Sequence, residues 1–432
     1  MRVLVLGGYG LIGLAIARRL HSAGHKVVGL GRDAGTGPCL FPAIAWKTAD
    51  IAKLQAAADW APLLAGIDVV VNAAGALQDG ARDNLSHIHH TSIVALVAAC
   101  EAAGNIRIVQ ISAPGAVASA ATEFMRSKAR GDAAVKSSRV SWVMLRPGLV
   151  IGTNAYGGSA LLRMMAALPL FGVIALADRP VQTVAMSDLT TVVLEAVGGT
   201  LPAGSDVEVV EPVAQPLGEV VATLRQWMGL PPVKVVWRVP AWMVHPVSLI
   251  ADALGVLGWR SPLRSTAIRS IEAGVTGDPA PLARLRNAQL MTLRQNLETI
   301  PAGVQERWFS RLYLLMPLCV AVLAAFWLAS GAIALWDVER AARVLPAEVL
   351  PMGAARTLVV AGAVLDILLG LAVLVRATAK VACAGMIATT VAYLVAGSVL
   401  TPGLWLDPLG PFVKVVPAAM LALLTLPLLE ER

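Results

Sequence analysis

Apolar positions over the first 150 residues follow two alternating rhythms. Short unbroken runs (RVLVLGG, KVVGLGR, DVVVNAAG, IRIVQISAPG, SWVMLRPG) are separated by stretches such as LIGLAIARRLHSAG and SIVALVAACEAAG, where apolar residues dominate one helical face. A strand without polar alternation is covered on both faces, and amphipathic helices provide the cover. The pattern predicts an α/β doubly wound parallel sheet.

From 151 to 300 the rhythm loosens. GSALLRMMAAL and LGEVVATLRQWMG read as helices and DVEVVEP as a strand, giving a substrate or lid part of the same domain. Pro240, Pro246 and Pro262 interrupt the apolar stretch VPAWMVHPVSLIADALGVLGW and its continuation, so it is not a straight membrane span. The expectation is a helix packed on the domain's own core, with a lid or an interfacial helix as alternatives.

After ETIPAGVQERWFSR the character changes. Four long apolar segments follow, about Leu312 to Trp336, Thr357 to Val375, Val381 to Leu400 and Val413 to Leu429. Each approaches the ~20 residues that a helix needs to cross a bilayer, so residues 301–432 are expected to form an all-α four-helix transmembrane bundle. Trp308 and Trp336 bracket the first segment and would lie roughly 42 Å apart along a helix, near the two headgroup layers. Arg294, Arg307, Arg311, Arg376 and Lys380 favour one side of the membrane, against Arg340, Arg343 and Arg356 on the other.

Composition agrees with this division. Of 432 residues 57% are hydrophobic and 15% charged, and the mean hydropathy is +0.70, too apolar for a purely soluble chain. The net charge of +7 comes without a basic stripe interleaved with aromatics, so it points to membrane lipid and not to nucleic acid. Cys39, Cys100, Cys319 and Cys383 are scattered with no C-x-x-C, which indicates neither a disulfide framework nor a zinc site. The opening MRVLVLGGYGLIGLAIARRL has an early Arg before an apolar run, but glycines inside the run and no small-residue cleavage site after it argue against a signal peptide.

Those glycines carry the first chemistry. Gly7, Gly10 and Gly13 form G-x-x-G-x-x-G between a predicted strand and a predicted helix. The first permits a tight turn, the second lets backbone approach a pyrophosphate, and the third packs helix on strand, with the phosphate at the helix N-terminus. At the end of the second strand Gly31 stands where an acidic residue would meet a ribose 2′-hydroxyl. Arg32 follows and can pair with a 2′-phosphate, which favours NADP(H) and leaves NAD(H) possible if Asp33 turns in.

With these motifs in place the chain resembles the atypical short-chain dehydrogenase/reductases, a Rossmann-like family with NmrA-like and complex I accessory-subunit branches. The resemblance covers roughly the first 300 residues. ADI resembles the adenine-contacting segment, with Asp50 and Ile51. NAAG resembles the stretch along the cofactor, with Ala73, Ala74 and Gly75. IVQISAPG puts Ser112 at the catalytic serine position, FMRSK puts Lys128 at the lysine, and LRPG puts Pro147 beside the nicotinamide. The resemblance implies that Gly7, Tyr9, Gly10, Leu11, Ile12, Gly13, Arg32, Asp50, Ile51, Ala73, Ala74, Gly75, Lys128 and Pro147 hold the cofactor, and that Ser112 and Lys128 are the catalytic polar groups.

The family's tyrosine, four residues before the lysine, is Phe124 here. Loss of a general acid removes ~10²- to 10⁴-fold of rate. Three readings follow for Lys128. It acts itself as acid or base, as in the similar isoflavone-reductase-like proteins; it only binds ribose, as in the similar accessory subunit of mitochondrial complex I; or it is an ordinary helix residue. Tyr156 in GTNAYGG is a remote substitute for the missing hydroxyl. His87, His89 and His90 lack neighbouring Cys or carboxylates, which favours helix capping over a metal site.

The C-terminal part, with LASGAIALW and LWLDPLGPFVKVVPA, resembles the DoxX-like membrane domains, some of them linked to quinone redox systems. Asp366 inside the second segment needs a partner in lipid, with Thr389, Thr390 or Lys414 as candidates. The expectation is a multi-pass protein of the inner or plasma membrane, head and both termini cytoplasmic, acting as an oxidoreductase on a lipophilic quinone- or lipid-like substrate. The alternative is a non-catalytic NAD(P)H-binding assembly or regulatory protein. Expected partners are that substrate, membrane lipid, and either a membrane-complex subunit or a second copy of the chain.

Overall fold

A computed structural model describes residues 1–80, 83–169, 172–259 and 261–430. Contacts divide the chain into two units: Met1–Ala253 with Ser261–Ser310, and Leu254–Arg260 with Arg311–Arg432.

The first unit is built on a seven-stranded sheet: β1 (Arg2–Leu6), β2 (Lys26–Gly31), β3 (Ala45–Thr48), β4 (Val69–Asn72), β5 (Arg107–Ile111), β6 (Trp142–Pro147) and β7 (Ser205–Val209). All neighbours pair parallel, in the order β7-β6-β5-β4-β1-β2-β3. The unbroken apolar runs are explained by two cores, one on each face. Val3, Val5, Val71, Val109 and Leu145 enter one; Leu4, Leu6, Val70, Ile108 and Met144 enter the other. Successive residues of one strand thus serve opposite faces, and a polar residue would be buried on either.

The sheet does not end with the first 150 residues. β7, the strand read from DVEVVEP, pairs with β6, so the seven-stranded sheet is completed by a segment that returns from the second half of the head. That half has a core of its own around Leu162, Val181, Val220, Leu224 and Leu297.

Glu211, just past β7 and fully buried, ties the two together. It accepts hydrogen bonds from the Thr183 amide and hydroxyl (both 2.7 Å), the Leu293 amide and the Gln215 side chain (both 2.9 Å). A buried carboxylate is stable when its oxygens are satisfied in this way.

The apolar stretch with three prolines departs from expectation. It forms a helix, Ala241–Val256, with Pro246 inside it. Among its described residues Val244, Ser248, Ala251 and Gly255 are buried, while Trp242, Leu249, Ile250 and Val256 stand exposed. It does not pack into the domain's core as a globular helix would.

The second unit contains the four helices long and apolar enough to cross a membrane: Leu315–Trp336, Met352–Ala372, Ala379–Leu400 and Pro411–Leu428. The first is part of a helix, Val304–Trp336, that also carries Trp308. Gly331 packs on the Ala363 carbonyl and Gly370 on the Leu328 backbone, the small-residue packing that lets apolar helices associate closely. Asp366 is buried, but its partners are not those expected. Ser330 donates to one oxygen at 2.8 Å and Tyr393 to the other at 3.1 Å.

The Glu211 node gives a stability prediction. Glu211→Gln keeps the shape but turns an NH2 group toward backbone or side-chain donors. The urea midpoint of the detergent-solubilised chain should fall by the equivalent of at least ~2 kcal/mol, and an unchanged midpoint would exclude the role given to this carboxylate.

Candidate cofactor site

Strand order reverses between β1 and β4, and in open α/β sheets the crevice past the strand ends at such a point is where ligands bind. Two predicted motifs meet there. Gly7 follows β1 with φ +68°, and a Cβ on it would lie 2.9 Å from the Ala74 Cα that follows β4. A methyl on Gly13 would enter the Gly7 carbonyl, and one on Gly10 would lie 3.1 Å from that same oxygen. Helix α1 (Leu11–Ser22) starts behind Gly10, whose missing side chain leaves the first-turn amides uncapped. A cradle of amides without side chains fits a diphosphate.

Tyr9 arches over the end of β2. Its ring occupies the space a Gly31 Cβ would need, and its hydroxyl accepts hydrogen bonds from the Arg32 and Asp33 amides at 3.0 and 3.2 Å. Arg32 pairs with Asp83 at 2.7 Å, a carboxylate the motifs did not reveal and one that competes with a 2′-phosphate. Asp33 is spent on its own turn, bonding the Gly35 amide and the Thr36 amide and hydroxyl. Asp50 is joined to the same edge by the Ala49 amide bonding to the Gly31 carbonyl, and it caps the turn containing buried Ile51.

On the other side, Ala73–Gly75 passes over His89 and Lys128. A Cβ on Gly75 would lie 3.2 Å from His89 Nε2 and 3.9 Å from Lys128 Nζ. Helix α2 (Ser92–Ala103) is entered through the π-helical turn His87–Thr91. Helix α3 (Glu123–Lys136) comes against that turn at Gly131, where a side chain would strike the His89 carbonyl. His89 is not a capping residue. Its Nε2 accepts from the Ala76 amide at 3.2 Å, which leaves the proton on Nδ1 for the Ser127 hydroxyl at 2.9 Å. Burial, with the Lys128 charge adding to it, lowers its pKa to about 2.

Phe124 and Lys128 meet as their spacing requires, with Nζ 5.7 Å from the ring centre. Nζ also donates to the Ile111 carbonyl at 3.2 Å, next to Ser112. The Ser112 hydroxyl is turned inward, donating to Asp132 at 2.5 Å. Asp132 and Arg146 join this cluster and were not among the residues the motifs indicated. Asp132 lies one turn beyond Lys128 on α3, so the helical spacing was the available signal. Arg146 was hidden inside LRPG, directly before Pro147.

Arg146 reaches Asp132 at 3.0 Å and Asp206 at 2.7 Å, and Lys136 closes on Asp206 at 2.5 Å. Burial pushes the Asp132 pKa up, against the Ser112 bond and the Arg146 charge. Burial pushes the Lys128 pKa down, against the Asp132 charge. Asp132 Oδ1 is buried with no hydrogen-bond partner. Tyr156 lies before the helix Gly158–Ala167 and is 46% exposed.

Comparison with known proteins follows the two units. Residues 7–163 match the NAD(P)H-binding family model and residues 324–423 the DoxX-like family model. The chain joins an NAD(P)H-binding domain to a DoxX-like domain.

Among solved structures, the NADPH-dependent quinone oxidoreductase QOR2 of Escherichia coli, complexed with NADPH, has a TM-score of 0.52 at 16% identity, covering 68% of this chain and 98% of that one. The Bordetella bronchiseptica enzyme WbmG in complex with NAD has a TM-score of 0.51 at 18% identity, covering 69% and 92%. At these identities the likeness is one of fold. No curated protein matches the chain. The head thus carries the NAD(P)H-binding match, and the part after it carries the DoxX-like match together with four helices long and apolar enough to cross a membrane.

His89 gives a pH prediction. The native imidazole stays neutral to about pH 2, against 6.5 for an unperturbed histidine. Below 6.5 the unfolded chain therefore binds a proton that the native chain does not. Its contribution is fully present above that pH and is lost on acidification, by roughly 1.4 kcal/mol per pH unit. His89→Gln preserves one acceptor and one donor without titrating. Denaturant unfolding at pH 7.0 and 5.5 should show a smaller acid loss in this variant than in wild type; equal losses would exclude His89 as the source.

Proposed function

We propose that this protein is a membrane-anchored NADP(H)-dependent oxidoreductase of atypical short-chain type acting on a lipophilic, quinone- or lipid-like substrate, with its head in the cytoplasm. The observation that carries the reading is Lys128, buried beneath Ala73–Gly75 beside the glycine cradle, in a chain that also carries four helices long and apolar enough to cross a membrane. Holding the head at the bilayer raises the effective concentration of a substrate dissolved there.

In this reading the amides of Gly7–Gly13 take the diphosphate. Arg32 exchanges Asp83 for a 2′-phosphate, and Asp50 and Ile51 flank the adenine. Ala73–Gly75 and Pro147 line the nicotinamide end, where the bound cofactor would supply hydride. Phe124 offers no proton and the Ser112 proton is given to Asp132. Lys128 is then the group that holds the ribose hydroxyls and moves the substrate proton. With hydride going to the substrate, Lys128 gives the proton from its ammonium form, and burial, by lowering its pKa, makes that form a stronger acid. Ser112 acts through Asp132 as a positioning residue.

Two observations favour a second reading, a cofactor-binding protein that assembles or regulates a membrane complex. The ring at 124 has no hydroxyl, and both polar candidates are engaged internally, Ser112 with Asp132 and Lys128 with the Ile111 carbonyl.

The test uses the full chain in nanodiscs with a short-chain quinone or a lipid extract, and NADPH deuterated at either face of C4. Mass spectrometry of the recovered NADP+ should show deuterium lost from one face only. Lys128→Ala should lower kcat by ~10²- to 10⁴-fold, and Phe124→Tyr should raise it. Binding without face-specific loss would establish the second reading, and no binding of either dinucleotide would remove both.

A further inference from the structure

The helix Ala241–Val256 is the feature the redox reading does not use. Its sequence, AWMVHPVSLIADALGV, contains one charged residue, Asp252, and that carboxylate is paired with Arg264 at 3.2 Å. One narrow stripe, Val244, Ser248, Ala251 and Gly255, is buried against protein. Apart from His245 and the paired Asp252, which share one face, the remaining circumference is apolar and open: Trp242 is 70% exposed, Leu249 67%, Ile250 63% and Val256 80%. Contiguous exposed apolar surface of this kind marks an interaction face.

The chain itself says what covers it. Leu254–Arg260, the end of this helix and the turn after it, clusters with the membrane-spanning unit. The Trp259 indole N–H donates to the Leu374 carbonyl at 2.6 Å, and the Arg376 amide donates to the Leu257 carbonyl at 3.0 Å. The Arg376 guanidinium lies 5.6 Å from the Trp259 ring centre. Leu374 and Arg376 directly follow the span Met352–Ala372, so these bonds hold the turn at the level where that span ends. Trp237, 60% exposed, precedes the helix, and tryptophans at a span's end are characteristic of the headgroup layer. Lys234 and Arg269 flank the segment, a charge suited to anionic lipid. A helix of 16 residues is too short to cross, and a helix of this kind rests in the interface plane.

We infer that residues 242–256 form an in-plane membrane helix, seated at the boundary between headgroups and acyl chains with Trp242, Leu249, Ile250 and Val256 in lipid. It gives the head a bilayer contact of its own, separate from the four spans. This inference is independent of whether the head is catalytic.

The test is collision-accessibility EPR on the full chain in nanodiscs of phosphatidylcholine and phosphatidylglycerol, with the four native cysteines replaced. Labels are placed singly through Leu249→Cys, Ile250→Cys and, as a water-exposed control, Glu219→Cys. The ratio of oxygen to NiEDDA collisions should be several-fold higher at 249 and 250 than at 219. A ratio equal to the control would show water and overturn the inference. Low collision with both reagents would show a protein cover, a second copy included, and overturn it equally. Two independent label sites keep the test decisive if one variant folds poorly.

Discussion

Everything in the nucleotide-binding head depends on one close approach, the Gly7 backbone against Ala74 at the point where the sheet reverses its strand order. A side chain at Gly7, Gly10 or Gly13 would force the turn after β1, the segment after β4 and the start of α1 apart. Because they touch, a cleft lined by main-chain amides opens directly above the sheet. The polar groups of α3 and the strand ends are then delivered to its rim without any loop having to be ordered for the purpose.

Behind that rim lies a line of alternating charge: Lys128, Asp132, Arg146, Asp206 and Lys136. Buried charges are tolerated when each has an opposite neighbour, and this line runs from the cofactor side to the edge strand β7. A loss at one member leaves a neighbour uncompensated, so the outer members matter to the inner ones. Asp206 joins the site to the second half of the head, as Glu211 does a few residues later. The sheet, the charge line and the second core are therefore one mechanical object, although their residues come from opposite ends of the head sequence.

Much of this was legible from residues alone. The unbroken apolar strands specified a sheet with two covered faces, glycine spacing specified the cradle, and the four apolar segments specified the spans. What was not legible lies in contacts between segments distant in sequence. Asp83 against Arg32, Arg146 against Asp132 and Asp206, and Tyr393 against Asp366 leave no local periodic trace. His89 was misread because three histidines within four residues look like a cap or a metal cluster, whereas one of them is a neutral hydrogen-bonding strut. The helix at 241–256 departs from the expected core helix because its apolar residues extend well beyond one face, and only a narrow stripe of them is buried against protein.

Asp366 has a consequence for how the protein is made. A lone aspartate at mid-span adds about 2.5–3.5 kcal/mol to the cost of releasing a helix from the translocon into lipid. Its two donors sit on different helices, Ser330 on the one synthesised earlier and Tyr393 on the one synthesised later. The carboxylate has both donors only when all three helices are packed together, so the second helix of the anchor depends on one that the ribosome makes after it.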